Sequence, residues 1–175
     1  MRRTLIVASA MVLVGACGSE AADDMEYDAV PMGDASAVTA VAPDACTVLP
    51  AAEVTAVIGE EARDSLALSM PATGESLTMS QCNYATATNV AAVSLMLRKV
   101  APGETPDAMT ASARQSITES GVAVEEVAGL GSATFWGGNQ LHVATDEWYL
   151  VVTPTRDGGL TQARGLAERA MTHLP

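Results

Sequence analysis

Hydrophobic and polar positions alternate along this chain with two different periods, and the switches between them mark out its elements. In Pro50–Ile58, read as PAAEVTAVI, Val54, Val57 and Ile58 share one face at helical spacing. Proline suits a first helical turn, Glu53 complements the N-terminus, and Gly59 is placed to stop the helix. The stretch from Glu60 to Gly74 is mixed and reads as loop, with a short strand over Leu66–Met70. From Ser76 to Tyr84 the period becomes two: Leu77, Met79, Gln81 and Asn83 alternate with Ser80, Cys82 and Tyr84. Val90–Lys99 places Val93, Leu95 and Leu97 on one face, and residues 85–89 fit a hairpin connection between these strands.

After the breaker Pro102-Gly103, Thr105 is placed to cap a helix with Pro106 in its first position. This helix runs to about Ser120, with Met109, Ala113 and Ile117 as its buried stripe and Gly121 as its stop. A strand over Val122–Val127 follows, then a glycine-rich turn around a short aromatic strand (residues 129–138). Gln140–Ala144 and Trp148–Thr153 read as a second hairpin about Asp146. Leu160, Ala163, Ala167, Ala170, Met171 and Leu174 give a last helix. The order is helix, hairpin, helix, two to four strands, helix. It predicts an α+β domain with a mostly antiparallel sheet and about three helices packed on one face.

The N-terminus follows a different logic. Met1-Arg2-Arg3 is a short positive region, Thr4–Val14 carries no charge, and Gly15-Ala16-Cys17 follows, which is the three-part layout of a secretory signal. A membrane-spanning helix is the competing reading. It needs roughly 20 apolar residues, whereas the uncharged stretch ends at Ser19, with Glu20, Asp23 and Asp24 just beyond. Val14-Gly15-Ala16-Cys17 resembles the lipobox of bacterial lipoproteins, departing from the usual Leu at Val14. The resemblance implies that residues 1–16 are removed, that Cys17 receives a diacylglycerol, and that acyl chains such as palmitate anchor the protein. Gly18 stands where an Asp resembles an inner-membrane retention signal. Its absence favours the outer membrane if the envelope has one. Residues 17–45 then hold the lipidated cysteine and an acidic tether. Positions 18–45 carry seven acidic residues, no basic ones and no sustained apolar period. The domain follows as residues 46–175.

Lipidation of Cys17 leaves Cys46 and Cys82 as an even pair in an oxidising compartment, which predicts a disulfide. A metal site is the alternative, made weak by two isolated cysteines without a nearby His. The pattern Cys46-x-x-Leu49-x-x-x-Glu53-Val54, the second cysteine Cys82, and Gly129-Leu130-Gly131-x-Ala133 before an aromatic pair is similar to small envelope lipoprotein domains of unknown function, actinobacterial ones among them. That family often has Thr where Pro50 stands, and the resemblance brings no activity with it.

Charge narrows the partners. Without Arg2 and Arg3, seven basic residues face 21 acidic ones, a formal net charge of −14. That argues against nucleic acid and against a second, electrostatic membrane contact. The sequence holds His142 and His173 but no Gly-x-Ser-x-Gly elbow, no His-Glu-x-x-His and no Cys-x-x-Cys. Gly129-x-Gly131 leads to Phe135-Trp136 rather than to a helix, unlike a dinucleotide fingerprint. No cofactor and no metal is expected. Four of six aromatic residues, Phe135, Trp136, Trp148 and Tyr149, cluster late in the chain and form the candidate interaction surface. The expected function is a lipid-anchored, non-enzymatic envelope protein that binds or senses an envelope protein or a small ligand. The alternatives are a periplasmic hydrolase or other enzyme with a loop-assembled site and a structural lipoprotein.

Overall fold

A computed structural model describes residues 42–70 and 79–175. The signal, Cys17, the tether up to residue 41 and the strand start at Ser76–Leu77 lie outside the described residues. The chain packs from Ala42 onward. Asp44 caps a one-turn helix α1 (Ala45–Val48) by accepting the Cys46 N–H at 2.9 Å, and Ala42, Ala45, Val48 and Leu49 are buried. That turn was not read from the sequence, and it puts the start of the packed domain before Cys46. Pro50 then serves as N-cap of α2 (Ala51–Ile58) rather than as its first residue. Gly59, at φ 75°, ends α2 in the left-handed conformation that a glycine adopts without steric cost.

The chain next forms β1 (Arg63–Met70), β2 (Met79–Ala85), β3 (Val93–Lys99), α3 (Pro106–Glu119), the two-residue β4 (Glu125–Glu126), β5 (Ala133–Gly137), β6 (Gln140–Ala144), β7 (Trp148–Thr153) and α4 (Gly159–Thr172). β1 is longer than the short strand expected there, because its register with β2 holds from Arg63↔Ala85 to Met70↔Met79. The Thr105 hydroxyl accepts the Ala108 N–H at 3.3 Å and caps α3. The strands join in one antiparallel sheet of order β1-β2-β3-β7-β6-β5-β4. The fold is therefore α+β with an antiparallel sheet. α3 carries the chain from β3 to the far edge, and the meander β4 to β7 returns to pair β7 with β3.

Alternation along the strands gives the sheet two faces. Cys82, Tyr84, Val93, Leu95, Leu97, Leu141, Val143, Trp148, Leu150 and Val152 face α1, α2 and α4 in the main core. α4 contributes Ala163, Leu166, Ala167 and Ala170, and the small residues let it lie close to the strands. The Tyr84 hydroxyl donates to the Leu49 carbonyl and so ties β2 to the end of α1. Cys46 and Cys82 are joined by a disulfide, which fixes α1 to the sheet's second strand.

The expectation that all helices share one face is corrected. α3 packs on the opposite face over β5 and β6. Under it lies a second, smaller cluster of Met109, Ala133, Ala144, Tyr149 and Val151. The physical reason is in β5, β6 and β7, whose outward positions carry Phe135, Ala144, Tyr149 and Val151 and cannot be left in water. α3 is too short to cover the whole face. Among the described residues no helix covers this face of the sheet over β1, β2 and β3, and Leu66 and Leu68 of β1 are 52% and 47% exposed. Among the described residues no helix is long and apolar enough to cross a membrane.

Candidate functional site

A trough runs along this second face where the cover of α3 ends. It encloses about 400 Å³, and its floor is built by alternation alone. β2 sends up Gln81, β3 Ser94 and Met96, β7 Tyr149, Val151 and Thr153, and β6 Gln140 and His142, while Ala113 of α3 forms one wall. Each floor residue is flanked in sequence by main-core residues such as Cys82, Leu95, Leu141 and Leu150, so the register that buries the core also aims these side chains into the trough. Leu66 and Leu68, paired with Asn83 and Gln81, continue the same face as an apolar flank.

His142 is the chemical centre of the trough. Its Nδ1 lies 2.7 Å from the Tyr149 hydroxyl, and its ring stacks on Phe135 with centroids 4.3 Å apart and planes 4° from parallel. The Arg114 guanidinium sits 4.5 Å from the Phe135 centroid and pairs with Glu126 of β4. His142 Nε2 is buried and has no hydrogen-bond partner. Whichever tautomer the Tyr149 contact selects, one donor or acceptor of the imidazole is left over. Burial, helped by the Arg114 charge, lowers the His142 pKa to about 4, so the ring is neutral at pH 7. Burial raises the Tyr149 hydroxyl to about 12, which keeps it a hydrogen-bonding phenol.

The partners around His142 differ from those of a hydrolytic triad. The partner of His142 is a phenol, where a Ser-His-Asp site needs a carboxylate to orient the imidazole. Among the described residues no acidic side chain lines the trough. The one cluster of metal-ligand types among the described residues is Cys46, Asp64 and Cys82, and both sulfurs are already bonded to each other. The remaining carboxylate alone is not a metal site. Gly129 and Gly131, both at positive φ, shape the turn into β5 and lead into no helix.

The four aromatic residues expected to form an interaction surface do not form one. Phe135, Trp148 and Tyr149 are buried, and only Trp136 is half-buried, against the main core. Trp148 and Tyr149 do point to opposite faces, but α4 and its neighbours cover the first and α3 the second, so neither is left outside. His142 lies on β6, the strand expected for it, and its contact with Tyr149 and Phe135 was not expected. The available signal was the polar set Gln140, His142 alternating with Leu141, Val143, matched by Gln81, Asn83 and by Ser94 on neighbouring strands.

Beside the trough lies a second hollow of about 510 Å³, toward the β5–β6 turn and the loop after β7. It is lined by Asn83, Asn89, Asn139 and Arg156 among others, and Ser94 and Thr153, directly paired across β3 and β7, line both hollows. Searches against protein-family models, curated proteins and solved structures find no match to this chain.

Proposed function

We propose that this chain is a lipid-anchored, extracytoplasmic binding module that takes a polar small molecule in the trough beside α3. The anchor is Cys17, read from Val14-Gly15-Ala16-Cys17, and the Cys46–Cys82 disulfide suits an oxidising compartment. The observation that carries the binding reading is the trough's lining. In a chain of formal net charge −12, a hollow of ligand size is lined by amides, hydroxyls and a neutral imidazole, and by no carboxylate among the described residues. Pockets of about 300–1,000 Å³ with a few convergent polar groups are the usual form of small-molecule sites. The neutral state of His142 favours hydrogen bonding to an uncharged or anionic group over proton transfer near pH 7.

Native mass spectrometry of the chain purified from its own envelope tests this reading. The expected spectrum shows acylated protein carrying a small molecule, which a Ser94→Trp variant does not carry. Ser94 is half-buried on the floor shared by both hollows, so the larger side chain fills ligand space rather than core. A wild-type chain and a Ser94→Trp chain with identical spectra would refute the trough as the site. A Cys17→Ser chain that still partitions with membranes would refute the anchor.

A further inference from the structure

We infer that the second hollow is a carboxylate subsite, so that the ligand is a hydroxyl-rich organic acid of the sugar-acid type, with Arg156 as the partner of its carboxylate; this rests on the trough being a small-molecule site. Four arginines, Arg98, Arg114, Arg164 and Arg169, are paired with glutamates. Arg156 is exposed, lines the hollow, and has no carboxylate partner among the described residues. In a strongly acidic chain, a guanidinium without a carboxylate partner, in a hollow with no acidic side chain among its described lining residues, favours an anion. A planar guanidinium also matches a carboxylate with two parallel hydrogen bonds.

The neighbouring amides complete the site. Asn89 Oδ1 already accepts the Ala91 N–H at 3.0 Å, which leaves the Asn89 amide N–H groups as donors. Asn139 sits at φ 60° after Gly138 at φ 59°, the left-handed pair of a two-residue hairpin turn between β5 and β6, so its backbone position is fixed by the turn. Ser94 and Thr153 form a floor common to both hollows. A ligand whose carboxylate meets Arg156 therefore lays its body over these hydroxyls toward Gln81, Gln140 and His142. Amides and hydroxyls both donate and accept, as sugar hydroxyls do. A purely apolar acid would offer these groups no hydrogen bonds.

The test is an NMR titration of the ¹⁵N-labelled full chain with three probes: glucuronate, glucose and acetate. Glucuronate is expected to bind about tenfold or more tighter than either of the others, since each of those lacks one half of the recognition. Arg156→Gln, at an exposed loop position, is expected to remove that advantage and to leave glucose binding unchanged. Equal binding of glucuronate and glucose, or an Arg156→Gln chain that still prefers glucuronate, overturns the carboxylate assignment. Glucose binding that is lost in Ser94→Trp would in that case leave the trough standing as a neutral-ligand site. Absence of binding by all three overturns this inference, while the native mass spectrum decides the trough reading independently.

Discussion

The Tyr149 hydroxyl meets His142 Nδ1 at 2.7 Å across two neighbouring strands, inside a face of the sheet that a single helix half covers. The contact has a pH signature. His142 titrates near 4 when folded and near its ordinary 6.5 when unfolded, chiefly because burial penalises the imidazolium. Between those values the unfolded chain binds more protons, so stability is full above about pH 6.5 and falls as the pH drops toward 4. The expected loss from this group is about 3 kcal/mol. Urea unfolding at several pH values, compared with a His142→Gln chain, measures it. The wild type should lose more stability across that window than the variant, and parallel curves would mean that His142 is charged or exposed when folded.

Phe135 and Trp136 are adjacent and play different parts. Phe135 is fully buried between His142 and the Arg114 side of α3, so Phe135→Ala should cost about 3–5 kcal/mol. Trp136 is half-buried at the rim of the main core, and Trp136→Ala should cost about 2 kcal/mol or less. Denaturant midpoints of the two variants check the order.

The disulfide closes a separation of 36 residues between α1 and β2. Breaking it frees that loop in the unfolded state, and a Cys46→Ala, Cys82→Ala chain should lose about 3–4 kcal/mol of unfolding free energy. Equilibrium unfolding with and without the bond gives the difference directly.

Gly131 is a packing requirement as well as a turn residue. Its φ is 59°, and a Cβ there would stand 2.5 Å from the Ala144 carbonyl oxygen, which already accepts the Ser132 N–H at 2.8 Å. Gly103 also has positive φ but nothing within 4 Å of its would-be Cβ. Gly131→Ala should therefore destabilise by more than Gly103→Ala, whose cost should stay near about 1 kcal/mol. Thermal unfolding of both variants tests the comparison.

The elements were legible where local chemistry decides them. Thr105-Pro106 marked the start of α3, Gly59 the end of α2, and the alternation of Val93, Leu95 and Leu97 the core face of β3. The pairing of Cys46 with Cys82 followed from counting once Cys17 was set aside, and the structure contains that bond. Long-range choices were not legible. Nothing local to Pro106–Glu119 says which face of the sheet it will cross, and that choice decides whether Tyr149 is surface or core. The same choice builds the trough, because Ala113 and His142 become neighbours only when α3 lies over β6. The four residues of α1, Ala45–Val48, are too few to show a period.

The central claim is that the face half covered by α3 is where this protein meets its ligand. Its most direct measurement is a ¹H–¹⁵N correlation map of the full chain with and without the small-molecule fraction of its own envelope. The account predicts that resonances of Gln81, Ser94, Gln140, His142 and Thr153 move together while those of α4 on the opposite face stay in place. Shifts confined to α4 and the main-core face, or no shift in the trough at saturating extract, would contradict it.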